Sequence, residues 1–148
     1  MKTIVLYYTL GGATKTEAER VAEQEGAALC QVTEEKKRNI ISAFISGCPN
    51  AMKRKASKIR PLNHDLNEYD RIIIGCPIWA GYPAPAFNSV LELLPRGKEV
   101  GLFFCSGAGA EPKSERGTKD LIAQKGCTLI FYRDVKAVNP SKKTKGQK

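Results

Sequence analysis

Short apolar segments without polar alternation recur five times along the chain, and this recurrence is the strongest constraint on its fold. The first, Ile4-Val5-Leu6-Tyr7-Tyr8, is rich in β-branched and aromatic residues and is typical of a strand buried on both faces. Strands of this kind belong to parallel sheets that carry helices on both sides. The five predicted strands are about Lys2–Tyr8, Ala27–Thr33, Arg71–Gly75, Glu99–Cys105 and Cys127–Val135.

Helical patterns fill the intervals between these strands. In the first three intervals, apolar residues share one face at helical spacing, which is typical of an amphipathic helix. The predicted helices are Thr14–Glu25, Asn39–Ser46, a helix that begins at Pro85 and is ended by Pro95, and a helix from about Pro112 to Gly126. The order βαβαβαβαβ predicts a three-layer α/β fold, a doubly wound five-stranded parallel sheet with right-handed crossovers.

Two further regions have weaker patterns. Cys48-Pro49-Asn50 is typical of a turn after Gly47, and Ala51–Lys58 is predicted as a short basic helix. No pattern of a fifth helix follows the last strand, so one face of this edge strand is either bare or covered by a second subunit in a homodimer. We therefore expect one domain over residues 1–136 and a basic, disordered tail over residues 137–148.

The first strand ends in a glycine-rich turn that leads directly into a helix. The turn reads Thr9-Leu10-Gly11-Gly12-Ala13-Thr14, and Thr14 lies three residues before Glu17, which is the spacing of a capping box. A strand, a glycine-rich turn and a helix N-terminus direct free backbone N–H groups and the positive end of the helix dipole at one point. This segment is therefore predicted to bind an anion such as a phosphate.

Two more loops follow strands whose carboxyl ends should lie at the same edge of the sheet. They are Pro77–Tyr82, which contains the only tryptophan, Trp79, and Cys105–Ala110. Ligands of open α/β sheets bind outside the carboxyl ends of the strands, where the strand order reverses. Three loops of small residues and one tryptophan at that edge predict a site for a flat ligand that carries a phosphate.

The composition argues against several other kinds of site. His64 is the only histidine, and the five cysteines lack the C-x-x-C spacing, so we expect neither a metal site nor a Ser-His-Asp triad. The sequence has no signal-peptide pattern and no apolar run long enough to span a membrane. We therefore expect a cytoplasmic protein whose cysteines are free thiols.

The formal net charge of +9 comes mainly from two clusters. Residues 53–60 hold five basic residues, residues 136–148 hold five more, and neither range contains an acid. Such clusters are typical of solvated surface, although they also attract polyanions. Nucleic-acid binding is not favoured by this pattern but stays open.

Three segments of the sequence resemble the flavodoxin family. Tyr7–Lys15 is similar to the family's first loop, and Tyr69–Trp79 to its Tyr-Asp, apolar strand and Gly-x-Pro-x-Trp segment. Gly97–Gly107 is similar to the strand and loop that form the third segment, in the family's order and spacing. The resemblance implies a flavodoxin-like fold with strand order 2-1-3-4-5 that binds FMN and transfers electrons between redox partners.

The resemblance also implies which residues bind FMN. The first loop would hold the phosphate through backbone N–H groups and through the hydroxyls of Thr9 and Thr14, the second would line the isoalloxazine ring with Trp79 stacked on it, and the third would approach the pyrimidine end. The implied cofactor-binding residues are Thr9, Leu10, Gly11, Gly12, Ala13, Thr14, Pro77, Ile78, Trp79, Ala80, Gly81, Tyr82, Cys105, Ser106, Gly107, Ala108 and Gly109. No catalytic and no metal-binding residue is implied.

Two departures from the family pattern keep alternatives open. Gly11 and Ala13 stand where the family has a hydroxyl residue and an asparagine, and the chain is basic where electron-carrying flavodoxins are acidic. One alternative is an FMN-dependent NAD(P)H or quinone reductase acting on small redox substrates. Another is a flavodoxin-fold module without flavin that binds a partner through its basic clusters.

Overall fold

A computed structural model describes residues 1–110 and 112–137 of the chain. Its strands are β1 (Thr3–Tyr7), β2 (Ala28–Gln31), β3 (Arg71–Trp79), β4 (Tyr82–Pro83), β5 (Glu99–Ser106) and β6 (Thr128–Lys136). Five of them form a parallel sheet in the order β2-β1-β3-β5-β6, and the short β4 pairs antiparallel with the end of β3. The predicted doubly wound sheet is confirmed, because β5 and β6 are the fourth and fifth strands of the predicted order.

Helices cover both faces of this sheet. They are α1 (Ala13–Glu25), α2 (Ile40–Ser42), α3 (Cys48–Met52), α4 (Pro85–Leu93) and α5 (Glu115–Gln124), with a π-helical turn at Ala43–Gly47 and a 3-10 turn at Leu66–Glu68. Apolar residues of α1 pack with Val5 and Ile73 on one face. Those of α4 and α5 pack with Ile4 and Ile72 on the other face, which gives the predicted three layers.

The central strands are apolar on both faces because both faces are covered. All five residues of β1 are buried, and Ile4, Val5, Ile72 and Ile73 have no exposed surface. Burial of one such side chain contributes roughly 1.5–3 kcal/mol. The unbroken apolar runs of the sequence therefore indicate that these strands lie in the middle layer.

The helical segment at residues 40–52 departs from the prediction of a helix followed by a turn. The chain does not turn at Cys48-Pro49-Asn50 but continues into α3, which begins at Cys48. Pro49 has no N–H group to donate and its ring crowds the preceding turn. The π-helical turn, in which the Cys48 N–H donates to the Ala43 carbonyl, widens the helix just before the proline.

The predicted basic helix at Ala51–Lys58 is wrong beyond Met52, where α3 ends. Arg54 has a φ of 52°, in the left-handed region that interrupts a helix. Its guanidinium donates to Thr118 Oγ1 at 3.1 Å and to the Ser114 carbonyl at 3.2 Å. These bonds tie the segment to the start of α5, and tertiary contacts thus override the local helical preference.

β6 is the last element of the described residues, and its side chains are less covered than those of the other long strands. Phe131 lies across Gly101 of β5, where a Cβ atom would come within 2.2 Å of the ring, and Arg133 lies 4.4 Å from the centre of the Phe131 ring. These two side chains therefore cover part of the face on which no helix was predicted. Apart from Ala137, the predicted tail lies outside the described residues.

Candidate functional site

The loop after β1 has the geometry of an anion-binding turn. Thr9 Oγ1 accepts a hydrogen bond from the Gly12 N–H at 3.0 Å, which closes the turn. Gly12 has a φ of 96° and is the N-cap of α1, so the helix begins at Ala13 with no side-chain cap and no acidic residue in its first turn. A Cβ atom at Gly11 or Gly12 would meet no atom within 4 Å. The N-terminus of α1 therefore faces open space and can receive an anionic group.

The predicted capping box at Thr14 and Glu17 is wrong. The chain enters α1 through Gly12, so Thr14 is already inside the helix, where it is 2% exposed. Burial raises the pKa of the Cys105 thiol, and the Thr14 hydroxyl opposes this effect. Thr14 thus joins the first loop to the third, and its predicted bond to a phosphate stays a prediction.

The segment after β3 is a β-hairpin and not the predicted loop. β3 continues through Pro77, Ile78 and Trp79, and Trp79 pairs with Tyr82 across the turn. The turn residues Ala80 and Gly81 have φ values of 53° and 88°. Positive φ at both central positions is typical of a tight hairpin turn whose twist matches that of its strands. The indole ring is therefore held on a hydrogen-bonded element.

Trp79 packs against three groups behind the hairpin. Its ring meets Tyr8 edge-on, with 5.9 Å between ring centres, and the Arg38 guanidinium lies 5.7 Å from its centre. A Cβ atom at Gly47 would lie 2.8 Å from the indole, so only glycine allows this contact with the π-helical turn. These contacts hold the indole ring in place.

A buried ion pair supports this arrangement. Arg38 Nε donates to both oxygens of Glu34, at 2.9 and 3.1 Å, and the Tyr8 hydroxyl donates to Glu34 Oε1 at 2.5 Å. Burial and the bond to Glu34 raise the pKa of Tyr8. Neither Glu34 nor Arg38 was assigned a role from the sequence. Residues 34–38 do not form a helix, so the i, i+4 spacing of these two side chains gave no signal of the pair.

An apolar cleft of about 500 Å³ opens beside Trp79. Four of its lining residues belong to the predicted site, namely Leu10, Ile78, Trp79 and Ala80. The others come from the helical segment at residues 40–52 and were not predicted: Ile40, Ala43, Phe44 and Cys48. Their apolar pattern was visible in the sequence, but it was assigned to a helix face without a function. A planar apolar group fits such a cleft.

The third loop brings small residues to the same edge. Ser106, the last residue of β5, accepts a hydrogen bond from the Gly109 N–H at 3.0 Å, and Gly109 has a φ of 82°. A Cβ atom at Gly107 would meet no atom within 4 Å. Gly107 and Ala108 are exposed, so backbone groups of this loop are accessible to a ligand.

The sheet brings all three predicted segments together, because they lie at the carboxyl ends of β1, β3 and β5, which are neighbours. Side chains outside this edge include His64, whose Nδ1 lies 2.9 Å from the Tyr69 hydroxyl. In the part of the chain that the structure describes, no group of His, Cys, Asp and Glu side chains could hold a metal ion. Within the same ranges, no helix has the length and apolarity needed to cross a bilayer.

The comparisons with known proteins agree on one family. The sequence model described as Flavodoxin matches residues 2–147. The chain is similar to a solved flavoprotein from Lactobacillus acidophilus NCFM in complex with FMN, with 26% identity over 99% of each chain and a TM-score of 0.72. No curated protein sequence matches the chain.

Two solved Bacteroides proteins show the fold at lower identity. One from Bacteroides uniformis ATCC 8492 is 24% identical over 99% of this chain and 98% of its own, with a TM-score of 0.76. Another, from Bacteroides eggerthii DSM 20697, is 21% identical over 89% of this chain and 86% of its own, with a TM-score of 0.78. The likeness therefore extends over nearly the whole chain.

Proposed function

The chain belongs to the flavodoxin family, and from this premise we propose that it binds FMN at the carboxyl edge of its sheet and transfers electrons between redox partners. The observation that carries the proposal is the uncapped N-terminus of α1, which lies at the same edge as Trp79 and the third loop. The FMN complex of the Lactobacillus acidophilus flavoprotein supports the choice of cofactor.

The first loop suits the phosphate of FMN. Backbone N–H groups at the start of α1, together with the Thr9 hydroxyl, would donate to the phosphate oxygens. The absence of acidic residues from the first turn of α1 avoids repulsion of the dianion. Gly11 and Ala13 add no side-chain donors, so the affinity rests largely on the backbone.

The second and third segments suit the ring of FMN. The residues from Pro77 to Tyr82 would line the ring, with Trp79 as the stacking side chain, since its indole is already fixed by Tyr8 and Gly47. The backbone of Cys105–Gly109 would donate to the pyrimidine end. Bound FMN supplies the redox chemistry by accepting and releasing electrons, while these residues bind it, orient it and exclude water.

An absorbance spectrum from 300 to 600 nm, recorded after FMN is added in excess and then removed by desalting, tests the proposal. We expect flavin bands to remain with the wild-type protein. Gly12→Asp should abolish this binding, because it places a carboxylate where the phosphate would lie. Gly97→Asp is the matched control, since Gly97 has a comparable φ of 77° and open space around it but lies before β5, at the opposite edge of the sheet.

Two results would count against this site. Equal flavin retention in Gly12→Asp and wild type would show that the first loop does not bind the phosphate of FMN. A folded wild-type protein that retains no flavin would reject the FMN proposal as a whole. A salt-dependent gel shift on nucleic acid with that colourless protein would favour the flavin-free binding module instead.

A second candidate function is favoured by the apolar cleft beside Trp79. Its volume of about 500 Å³ and its apolar lining suit a planar electron acceptor such as a quinone, which an FMN-dependent reductase would reduce with NAD(P)H. The FMN-loaded protein, mixed with NADPH and a water-soluble benzoquinone, separates the two functions. Many turnovers per flavin would indicate a reductase. A turnover rate no higher than that of free FMN would instead favour the electron carrier.

A further inference from the structure

Four apolar side chains form a ridge on the outside of the helical segment at residues 40–52. This apolar ridge consists of Ile40, Ile41, Phe44 and Ile45, which are 68–73% exposed. Single exposed apolar residues are common, but four that adjoin each other on one helix surface mark an interaction site. The ridge carries no function in the site described above, except that Ile40 and Phe44 also line the apolar cleft.

The apolar ridge stands between two clefts of different chemistry. On one side is the apolar cleft with Trp79. On the other side is a polar cleft of about 480 Å³, whose lining includes Ser42 and Ser46 from the helical segment, the basic residues Lys36, Lys37 and Lys58, and the acidic residues Glu34 and Glu35. Glu34 is paired with Arg38, whereas Glu35 is exposed. A partner that covers the ridge would therefore contact the mouth of the candidate flavin site on one flank and lysine side chains on the other.

The sequence around the ridge is strongly basic. Residues 36–60 contain eight basic residues and no acidic residue. Two of the eight are engaged internally, Arg38 with Glu34 and Arg54 with Thr118. The other six are exposed, and none has a carboxylate within ion-pair distance among residues 1–110 and 112–137: Lys36, Lys37, Lys53, Lys55, Lys58 and Arg60. These six basic residues outnumber the one exposed carboxylate of the polar cleft, Glu35, so the surface favours an acidic partner.

We propose that an acidic redox protein docks on the apolar ridge, with an apolar centre against Ile41 and Ile45 and carboxylates against the lysines of the polar cleft. The proposal rests on the proposed electron-transfer function and names the chemistry of the partner. An apolar centre with a charged rim is the usual anatomy of such interfaces, and complementary charge speeds the encounter of redox partners.

Two other occupants fit the ridge less well. A second copy of this chain in a two-fold dimer would oppose two identical basic surfaces, which repel each other. An anionic membrane surface would match the charge, but residues 40–45 span less than two helical turns, which is short for an interfacial anchoring helix. Both occupants are outcomes that the experiments below would detect.

The first experiment uses a reduced acidic [2Fe–2S] ferredoxin as the probe. In stopped-flow mixing with the FMN-loaded protein, one electron leaves the cluster, which is oxidised, and enters the flavin, which is reduced. We expect the second-order rate to fall about tenfold or more in the double variant Ile41→Ser, Ile45→Ser, because these side chains form the interface centre without lining the apolar cleft. Leu93→Ser is the control, since Leu93 is also exposed but lies on α4.

The second experiment tests the charge. Lys36→Glu should lower the same rate and weaken its decline with added salt, because it reverses one charge of the basic rim. Arg96→Glu is the matched control, since Arg96 is exposed just before β5, at the opposite edge of the sheet. Equal rates in Lys36→Glu and Arg96→Glu, or no electron transfer to the FMN-loaded wild-type protein, would overturn the proposal.

Calorimetric titration of oxidised ferredoxin into the protein without FMN separates this inference from the proposed function. Binding that the ridge variants weaken and Leu93→Ser does not would support docking even if no flavin were retained. Co-sedimentation with phosphatidylglycerol vesicles that the ridge variants abolish, with unchanged ferredoxin rates, would replace the protein partner by a membrane. A dimer in light scattering that the ridge variants dissociate would replace it by a second copy.

Discussion

At the scale of single residues, the position of Trp79 depends on a glycine and on a buried ion pair. Gly47 lets the backbone of the π-helical turn touch the indole, and Arg38 and Glu34 hold the chain behind it. Because Trp79 is the only tryptophan, its intrinsic fluorescence reports on this position without any cofactor. Substitutions around it can therefore be followed in the protein alone.

Gly47→Ala should displace the indole ring. The added methyl group would lie 2.8 Å from the indole, and overpacking of this kind costs about 1–3 kcal/mol. We expect a shift of the tryptophan emission and lower stability in urea unfolding. Gly11→Ala, which adds the same methyl group where no atom lies within 4 Å, should leave the emission unchanged. Equal spectra for both variants would contradict the packing described for Trp79.

Arg38→Gln should destabilise the protein by about 2–4 kcal/mol, because it leaves Glu34 buried without its cation. In this pair the side chain of Glu34 is 5% exposed and that of Arg38 is 12% exposed. Lys119→Gln breaks a pair with Glu115 at the same spacing and the same 2.9 Å distance, but that pair is 44% and 36% exposed. We expect this control to cost less than about 1 kcal/mol in urea unfolding. A similar loss of unfolding free energy in both variants would show that burial does not strengthen the contribution of the Arg38–Glu34 pair to stability.

Some site residues were accessible from the sequence because their role is local. Gly12 and Trp79 stand in short motifs at the end of apolar strands, and such loops meet wherever parallel strands are adjacent. Glu34 and Gly47 were not recognised, because their role depends on contacts with Tyr8 and Trp79 that are distant in the chain. Thr14 was misassigned as a cap, since the left-handed conformation of Gly12 decides where α1 begins.

At the scale of elements, the start of the helical segment at residues 40–52 depends on one cap. Asn39 Oδ1 accepts from the Ser42 N–H at 2.8 Å, and Ser42 Oγ accepts from the Asn39 N–H at 2.9 Å. Without this cap, the two backbone N–H groups would face water at the helix end that supports the apolar ridge. The cap therefore determines how rigidly the helical segment holds the side chains of the apolar ridge.

Asn39→Ala should loosen the first turn of this segment. Loss of an asparagine N-cap costs typically about 1 kcal/mol, which corresponds to about fivefold faster amide exchange if the turn opens on its own. Hydrogen exchange of residues 42–46 measures this directly. Asn50→Ala, near the other end of the segment, is the control, because the Asn50 side chain makes no hydrogen bond within the described ranges. Unchanged exchange in Asn39→Ala would show that other contacts hold the turn.

The strands and the long helices follow from the sequence because their patterns are regular over many residues. β1, β3 and β5 are unbroken apolar runs, and α4 has apolar residues at helical spacing. The hairpin of β3 and β4 and the continuation of the helix through Pro49 were missed. In both, a residue that usually interrupts an element, Gly81 or Pro49, lies inside a structure that tertiary contacts complete.

At the scale of the whole molecule, buried thiols make the protein less stable at alkaline pH. Burial raises the pKa of Cys30, Cys76 and Cys105. The unfolded chain therefore releases these protons first, above about pH 8.5, while the folded protein retains them. Since the unfolded state then binds fewer protons, the free energy of unfolding falls as the pH rises.

Cys76→Ala should make the free energy of unfolding fall less steeply as the pH rises. One fully retained proton contributes up to about 1.4 kcal/mol per pH unit above the unfolded pKa. Urea unfolding at pH 7.5, 8.5 and 9.5 under reducing conditions, for wild type and variant, measures the slope. An identical slope in the two proteins would mean that Cys76 does not contribute to it.

The open side of β6 has a consequence for the behaviour of the protein at high concentration. Among the described residues β6 pairs only with β5, so its outer backbone groups offer a template on which another chain can add a strand. Arg133, Asp134 and Lys136 place charges along this strand, and such charges oppose the stacking that leads to amyloid. Arg133, which with Phe131 covers part of the face without a helix, thus also acts as a gatekeeper against fibril formation.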